Sequence, residues 1–244
     1  MGQKVSQEDN QEDKADTLLL CEGFSQGMLH ASQRLKDYLG FVDPQSKFQP
    51  DQSESSEGIF LVNFISFCVE RGAEEHITTS KMQSCLFRVD WIWTLSGADR
   101  QIRLQIAVQA LQLAELFHGE GSSTKEEEEE EKEEDCCREA VLAAECFQNR
   151  SRFGKLAQFC HLVGWDCLGL VVVFGVPGKP KDIREVLLDS MAQEEQQCCL
   201  LGRTALWRFI TSTECSLPTK DMLAHCLGTK NSLRDVGNVY INFV

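Results

Sequence analysis

Cys167-Leu168-Gly169-Leu170-Val171-Val172-Val173-Phe174 is short, continuously apolar and rich in valine, with Asp166 before it and Gly175 to Pro180 after it. That length and that β-branched content describe a buried strand better than a buried helix, which needs ten residues or more. The segment brings a sheet into a chain whose other periodicities read as helical. Its best partner is Asn238-Val239-Tyr240-Ile241-Asn242-Phe243-Val244, where apolar and polar residues alternate.

Outward from this strand the patterns are those of helices. Residues 17–39 place Phe24, Met28 and Leu35 on one face, with Gly40 as a stop. Residues 59–71 are apolar almost all round and close at Gly72, which predicts a buried helix. Thr78 or Thr79 caps a helix through Met82, Leu86, Val89 and Trp93. Asp99 opens another, with Ile102, Ile106 and Leu113 interleaved with Leu104, Val108 and Leu111. In the second half, helices are expected over 136–148, 152–162, 204–210 and 219–227, with a turn near 232–236. Asp182 and Glu185 form a capping box that opens a further helix over 182–201. The expected fold class is α+β, predominantly α-helical with a small C-terminal strand pair. The expected organisation is a disordered segment 1–16, then one globular domain 17–244 interrupted by a flexible acidic linker at 119–135.

Charge supports that division. The chain has 244 residues and a formal net charge of −14. Residues 126–135 contribute −8 and residues 1–16 contribute −3, so the remainder is nearly neutral. Without a basic stretch the chain lacks the electrostatic footprint of a nucleic-acid binder. Twelve cysteines occur without a CxxC and without an apolar leader, so they read as reduced, mostly buried thiols of a cytoplasmic protein. No metal site or cofactor motif is expected. The longest apolar stretches, about ten residues, are too short to cross a bilayer, which takes roughly 18.

Four motifs bear on function. Gly23-Phe24-Ser25-Gln26-Gly27 matches GxSxG, but only about twenty residues precede it, too few to build the sheet beneath a nucleophile elbow. Ser25 is therefore expected to be a helix residue and the protein not to be an enzyme. Gly175 to Pro180 fails the phosphate-loop template, because Val173 stands at the first glycine position and Pro180 at the Ser/Thr position. It is expected to be a strand-to-helix turn. Met1-Gly2-Gln3-Lys4-Val5-Ser6 fits the N-myristoylation pattern, making Gly2 a lipid-anchor candidate. One acyl chain binds membranes only marginally, and the acids that follow would be repelled by anionic lipid. A membrane-bound protein partner would have to supply the second attachment. Trp91-Ile92-Trp93, read on a helix, sends its two indoles to different faces, so one of them is a candidate surface anchor, the alternative being an aromatic-rich buried helix with both rings partly covered by neighbours.

Several strings together resemble the Rab-fifteen effector family of vertebrates: Met1–Lys4, Lys36–Phe41, Asp90–Thr94, Gln101–Leu111, Asp166–Leu170, Phe174–Arg184 and Leu233–Ile241. The chain departs from the family's pattern in its glutamate run and in the glycines of the GxSxG. The resemblance implies an effector that binds GTP-loaded Rab GTPases, peripheral on early and recycling endosome membranes, with a role in receptor recycling from the endocytic recycling compartment. The alternative is a lipidated, membrane-associated scaffold with a non-GTPase partner. The residues themselves suggest Trp91 and Trp93 as partner-binding anchors and Lys179, Lys181 and Arg184 as a basic rim. On that placement Trp93→Ala should weaken binding more than Lys181→Ala.

Overall fold

Trp91-Ile92-Trp93-Thr94-Leu95-Ser96 is buried at every second residue, which is the signature of a strand. In the computed structural model the described residues are 5–42, 44–45, 56–82, 86–112, 152–164, 166–176, 179–190, 202–212, 216–228 and 240–242. Strands β1 (Ile77–Lys81), β2 (Trp91–Ser96), β3 (Ile102–Gln112), β4 (Cys167–Val176), β5 (Lys179–Leu187), β6 (Ser216–Pro218) and β7 (Tyr240–Asn242) form one mixed sheet. Its order is β1-β2-β3-β4-β5-β7-β6. Neighbours are antiparallel except β3 with β4 and β6 with β7, which are parallel.

Helices lie on both faces. Helix α1 (Val5–Gly40), α2 (Ser56–Glu70) and α5 (Thr219–Gly228) cover one side. There Phe24, Met28, Phe60, Phe64 and Met222 meet Trp91, Trp93, Ile106, Leu170 and Val172. Helices α3 (Arg152–Val163) and α4 (Gly202–Ser212) cover the other. There Phe153, Leu156, Leu206 and Phe209 meet Ala107, Leu111, Val171, Val173 and Val186. Alternation along each strand divides the two cores: β4 sends Leu170 and Val172 one way, Val171 and Val173 the other.

The helix-dominated expectation is corrected by this sheet. Strands are central rather than a small C-terminal pair. The helices expected over Thr78–Trp93 and from Asp99 are β1, β2 and β3, and the first six residues of the one expected over 182–201 belong to β5, while 191–201 lie outside the described residues. Residues 102, 104, 106 and 108 are apolar, and a spacing of two contains a spacing of four, so β3 carries a helical and a strand stripe at once. The β4 strand stands as expected, but the terminal strand pairs with β5 and β6 instead of β4. Gly175 and Val176 end β4 and Lys179 and Pro180 begin β5, with Val176 paired to Lys179, so a strand and not a helix follows; residues 177–178 lie outside the described residues. Helix α1 already begins at Val5, so residues 5–16, expected to be disordered, are helical. Residues 119–135, the expected linker, lie outside the described residues.

Other readings hold. Phe24, Met28 and Leu35 form the buried face of α1, which ends at Gly40. Gly72 closes α2 at φ +65, and the Ala73 N–H donates to Cys68 O at 2.8 Å, a left-handed cap that glycine accommodates without strain.

At the α1–α2 crossing Gly27 lets the helices touch. A Cβ there would stand 2.9 Å from Phe64 Cε2 and 3.4 Å from Phe67 Cδ1, and Phe64 is fully buried with nowhere to turn. Gly27→Ala forgoes the usual helix gain of about 1 kcal/mol to an overpacking cost of about 1–3 kcal/mol. It should lower the urea midpoint; a raised midpoint would mean that the crossing yields easily.

Candidate functional site

The candidate surface is built by α1, α2 and the turns beside them. Helix α2 buries Phe60, Leu61, Phe64, Phe67 and Cys68 against α1 and the sheet. Its other side exposes Val62 (64%), Ile65 (42%) and Val69 (54%), spaced i, i+3, i+7 on one helical stripe. The sequence reading took the all-round apolar character of 59–71 as burial, whereas a helix lying on a sheet has an outer side. On α1, Leu18, Leu19 and Leu29 are also exposed.

Between α1, the C-terminal end of α2 and the β2–β3 turn lies a cavity of about 340 Å³. Leu19, Leu20, Phe67 and Ile77 supply its apolar lining, and Asp16, Gln26, Arg71 and His76 its polar edge. The edge is held by specific contacts. Asp16 Oδ2 accepts from the Ala98 N–H at 3.0 Å, fastening α1 to the β2–β3 turn. His76 Nδ1 lies 3.3 Å from Ser96 O. The Arg71 guanidinium sits 5.4 Å from the Phe67 ring centroid, a cation–π distance. Glu22 pairs with Lys220 of α5, and this contact, with the Gln26 amide, holds the Glu22 carboxyl below its ordinary range. The cavity therefore has a preformed wall and an apolar interior, the form of a recess that accepts a side chain or a small apolar group.

The sequence-selected residues are distributed differently. Trp91 and Trp93 are fully buried on β2, and both point into the α1–α2 core, because residues two apart on a strand share a face. Their placement as partner anchors is corrected: neither offers a surface to touch. Lys179 is exposed on β5. Arg184 is half-buried and its guanidinium donates to Ile210 O of α4. Arg184 is thus turned to α4 while Lys179 is exposed, so the two do not form one exposed rim. The Lys181 side chain and Gly2 lie outside the described residues. Ser25 lies inside the continuous helix α1, so GxSxG makes no strand–turn–helix elbow.

Cys21, Cys68, Cys160, Cys167 and Cys226 are free thiols. Among the described residues no cluster of His, Cys, Asp or Glu could hold a metal ion, and no helix is long and apolar enough to cross a membrane.

Comparison with known proteins places this architecture. The family model described as Rab15 effector matches residues 5–243. The Rab15 effector protein of Mus musculus is 42% identical over 247 residues, covering all of both chains. A match of that extent includes every strand and helix described above. The chain belongs to the Rab15 effector family.

Proposed function

We propose that this chain binds a Rab GTPase in its GTP-loaded form through the outer side of the α1–α2 layer, at the cytoplasmic surface of early and recycling endosomes, and that it acts in receptor recycling there rather than as an enzyme. Membership of the Rab15 effector family carries the reading. An exposed stripe of Val62, Ile65 and Val69 supports the choice of surface, since a helix with anchors at i, i+3 and i+7 suits insertion into an apolar groove. Nucleotide dependence follows from the switch regions of a GTPase, which are ordered by the γ-phosphate and offer an apolar surface only in that state. The Gly2 acyl chain would add a weak membrane attachment and the bound GTPase the stronger one.

Binding to a panel of immobilised Rab GTPases in GTP-analogue and GDP forms tests the reading. A few members should bind in the GTP form alone; equal binding to both forms, or to none, would return a scaffold with another partner. Val62→Asp combined with Val69→Asp should raise the dissociation constant at least roughly tenfold, the effect of losing one modest anchor. Both residues are more than half exposed, so thermal unfolding should not move. Unchanged affinity would place the contact elsewhere. For Gly2, transfer of labelled myristate by N-myristoyltransferase, abolished in Gly2→Ala, is the expected result.

A further inference from the structure

The loop between α3 and β4 brings two thiols together. Cys160 lies in the last turn of α3, where the Gly164 N–H donates to Cys160 O at 3.0 Å. The chain then reverses, and the Cys167 N–H donates to Gly164 O at 3.1 Å. Cys167 begins β4, and Gly169 follows two residues later on the same face of the strand. A Cβ on Gly169 would stand 3.3 Å from Cys160 Sγ, so the absence of a side chain there lets the Cys160 sulfur settle over the start of β4. Cys160 and Cys167 pack against the same core, on the α3–α4 side of the sheet. Both residues are half-buried rather than sealed, unlike Cys21 and Cys68 in the opposite core.

We propose that Cys160 and Cys167 are an oxidative modification site, a thiol pair that hydrogen peroxide converts into an intramolecular disulfide joining the end of α3 to the start of β4. Reduced thiols are the resting state of cytoplasmic proteins, and a disulfide there is usually transient and redox-responsive. The pair divides the chemistry. The Cys160 thiol and the Ala107 amide lower the Cys167 thiol's pKa, favouring the thiolate, while Cys160 is held as the neutral thiol. Burial pushes Cys21 and Cys68 up to about 11, and Cys226 up to about 12, which leaves them unreactive by comparison.

Attack of the Cys167 thiolate on peroxide forms an S–O bond and breaks the O–O bond; the departing hydroxide takes up the proton released on ionisation and leaves as water. Cys160 sulfur then attacks the sulfenic sulfur. The S–S bond forms, the S–O bond breaks, and the hydroxide leaves with the Cys160 proton as a second water. Two electrons pass from the thiol pair to the peroxide.

The test is peptide mapping of the full chain after brief peroxide treatment and alkylation without reduction. A linked peptide containing Cys160 and Cys167, absent after dithiothreitol, is expected. Cys160→Ser removes the resolving thiol, so dimedone should then label Cys167 where it labels little in the unsubstituted chain. The proposal is overturned if both cysteines stay alkylatable while Cys21, Cys68 or Cys226 oxidise. It is equally overturned if dimedone labels Cys160 in preference to Cys167 in the unsubstituted chain, a readout that needs no variant to fold.

Discussion

Trp93→Ala is expected to lower the free energy of unfolding by about 3–5 kcal/mol, the cost of emptying a large aromatic site in a packed core. Trp93 is fully buried between three other rings. Phe24 meets it edge-on at 5.1 Å, Phe64 lies at 5.2 Å, and Trp91 at 5.4 Å. Those rings come from α1, α2 and β2, so the substitution loosens the packing of both helices on the sheet at one point. Its indole Nε1 has no hydrogen-bond partner among the described residues, so Trp93→Phe should retain most of the stability. Urea unfolding at constant pH measures both. A loss below about 1 kcal/mol in the alanine variant would mean that the site collapses around the gap. GTPase affinity per folded molecule should be nearly unchanged, which distinguishes a core residue from the surface anchor that the sequence suggested.

The second large effect concerns Glu185. On β5 it lies opposite Val172 and Ile241, with Ile183 and Leu187 on either side of it along the same face, all buried and apolar. The carboxyl is fully buried, and neither oxygen has a hydrogen-bond partner among the described residues. Desolvation disfavours the charged form and raises its pKa well above the ordinary carboxylate value. The unfolded chain releases this proton near pH 4.3, while the folded chain retains it. The folded state then binds more protons, and stability falls as pH rises from the unfolded pKa toward the folded one. Glu185→Leu removes both the titration and the unsatisfied oxygens, and should stabilise the protein at neutral pH by about 1–3 kcal/mol. The difference between variant and parent should grow from about pH 4.5 upward. A difference independent of pH would mean that a cation in another part of the chain neutralises the carboxylate.

Both residues show where local reading stops. The β4 run, the buried face of α1 and the stops at Gly40 and Gly72 were legible, because each depends on neighbours a few positions away. The strand β3 was not. Ile102, Leu104, Ile106 and Val108 do alternate with Arg103, Gln105, Ala107 and Gln109, as a strand requires. Its evenly spaced apolar residues also satisfy a helical stripe. The Asp182–Glu185 spacing resembled a helix cap, and nothing local announces that Glu185 is a core residue of a strand. The candidate site was least legible of all. Val62, Ile65 and Val69 are as apolar as Phe60 and Phe64, and only the position of α2 on the sheet decides which of them meet water.

Family membership, the near-neutral body with its acidic segments, the lengths of several helices and the one unmistakable strand are properties of residue identity and short-range spacing, and so are contained in the chain itself. The pairing of β5 with both β4 and β7, the burial of both tryptophans, the outward stripe of α2 and the meeting of Cys160 with Cys167 exist only in three dimensions. They arise from packing between elements that no single segment specifies by itself. The favourable energy of such contacts depends on the whole packed arrangement, and it overrides the weak conformational preferences of any single segment.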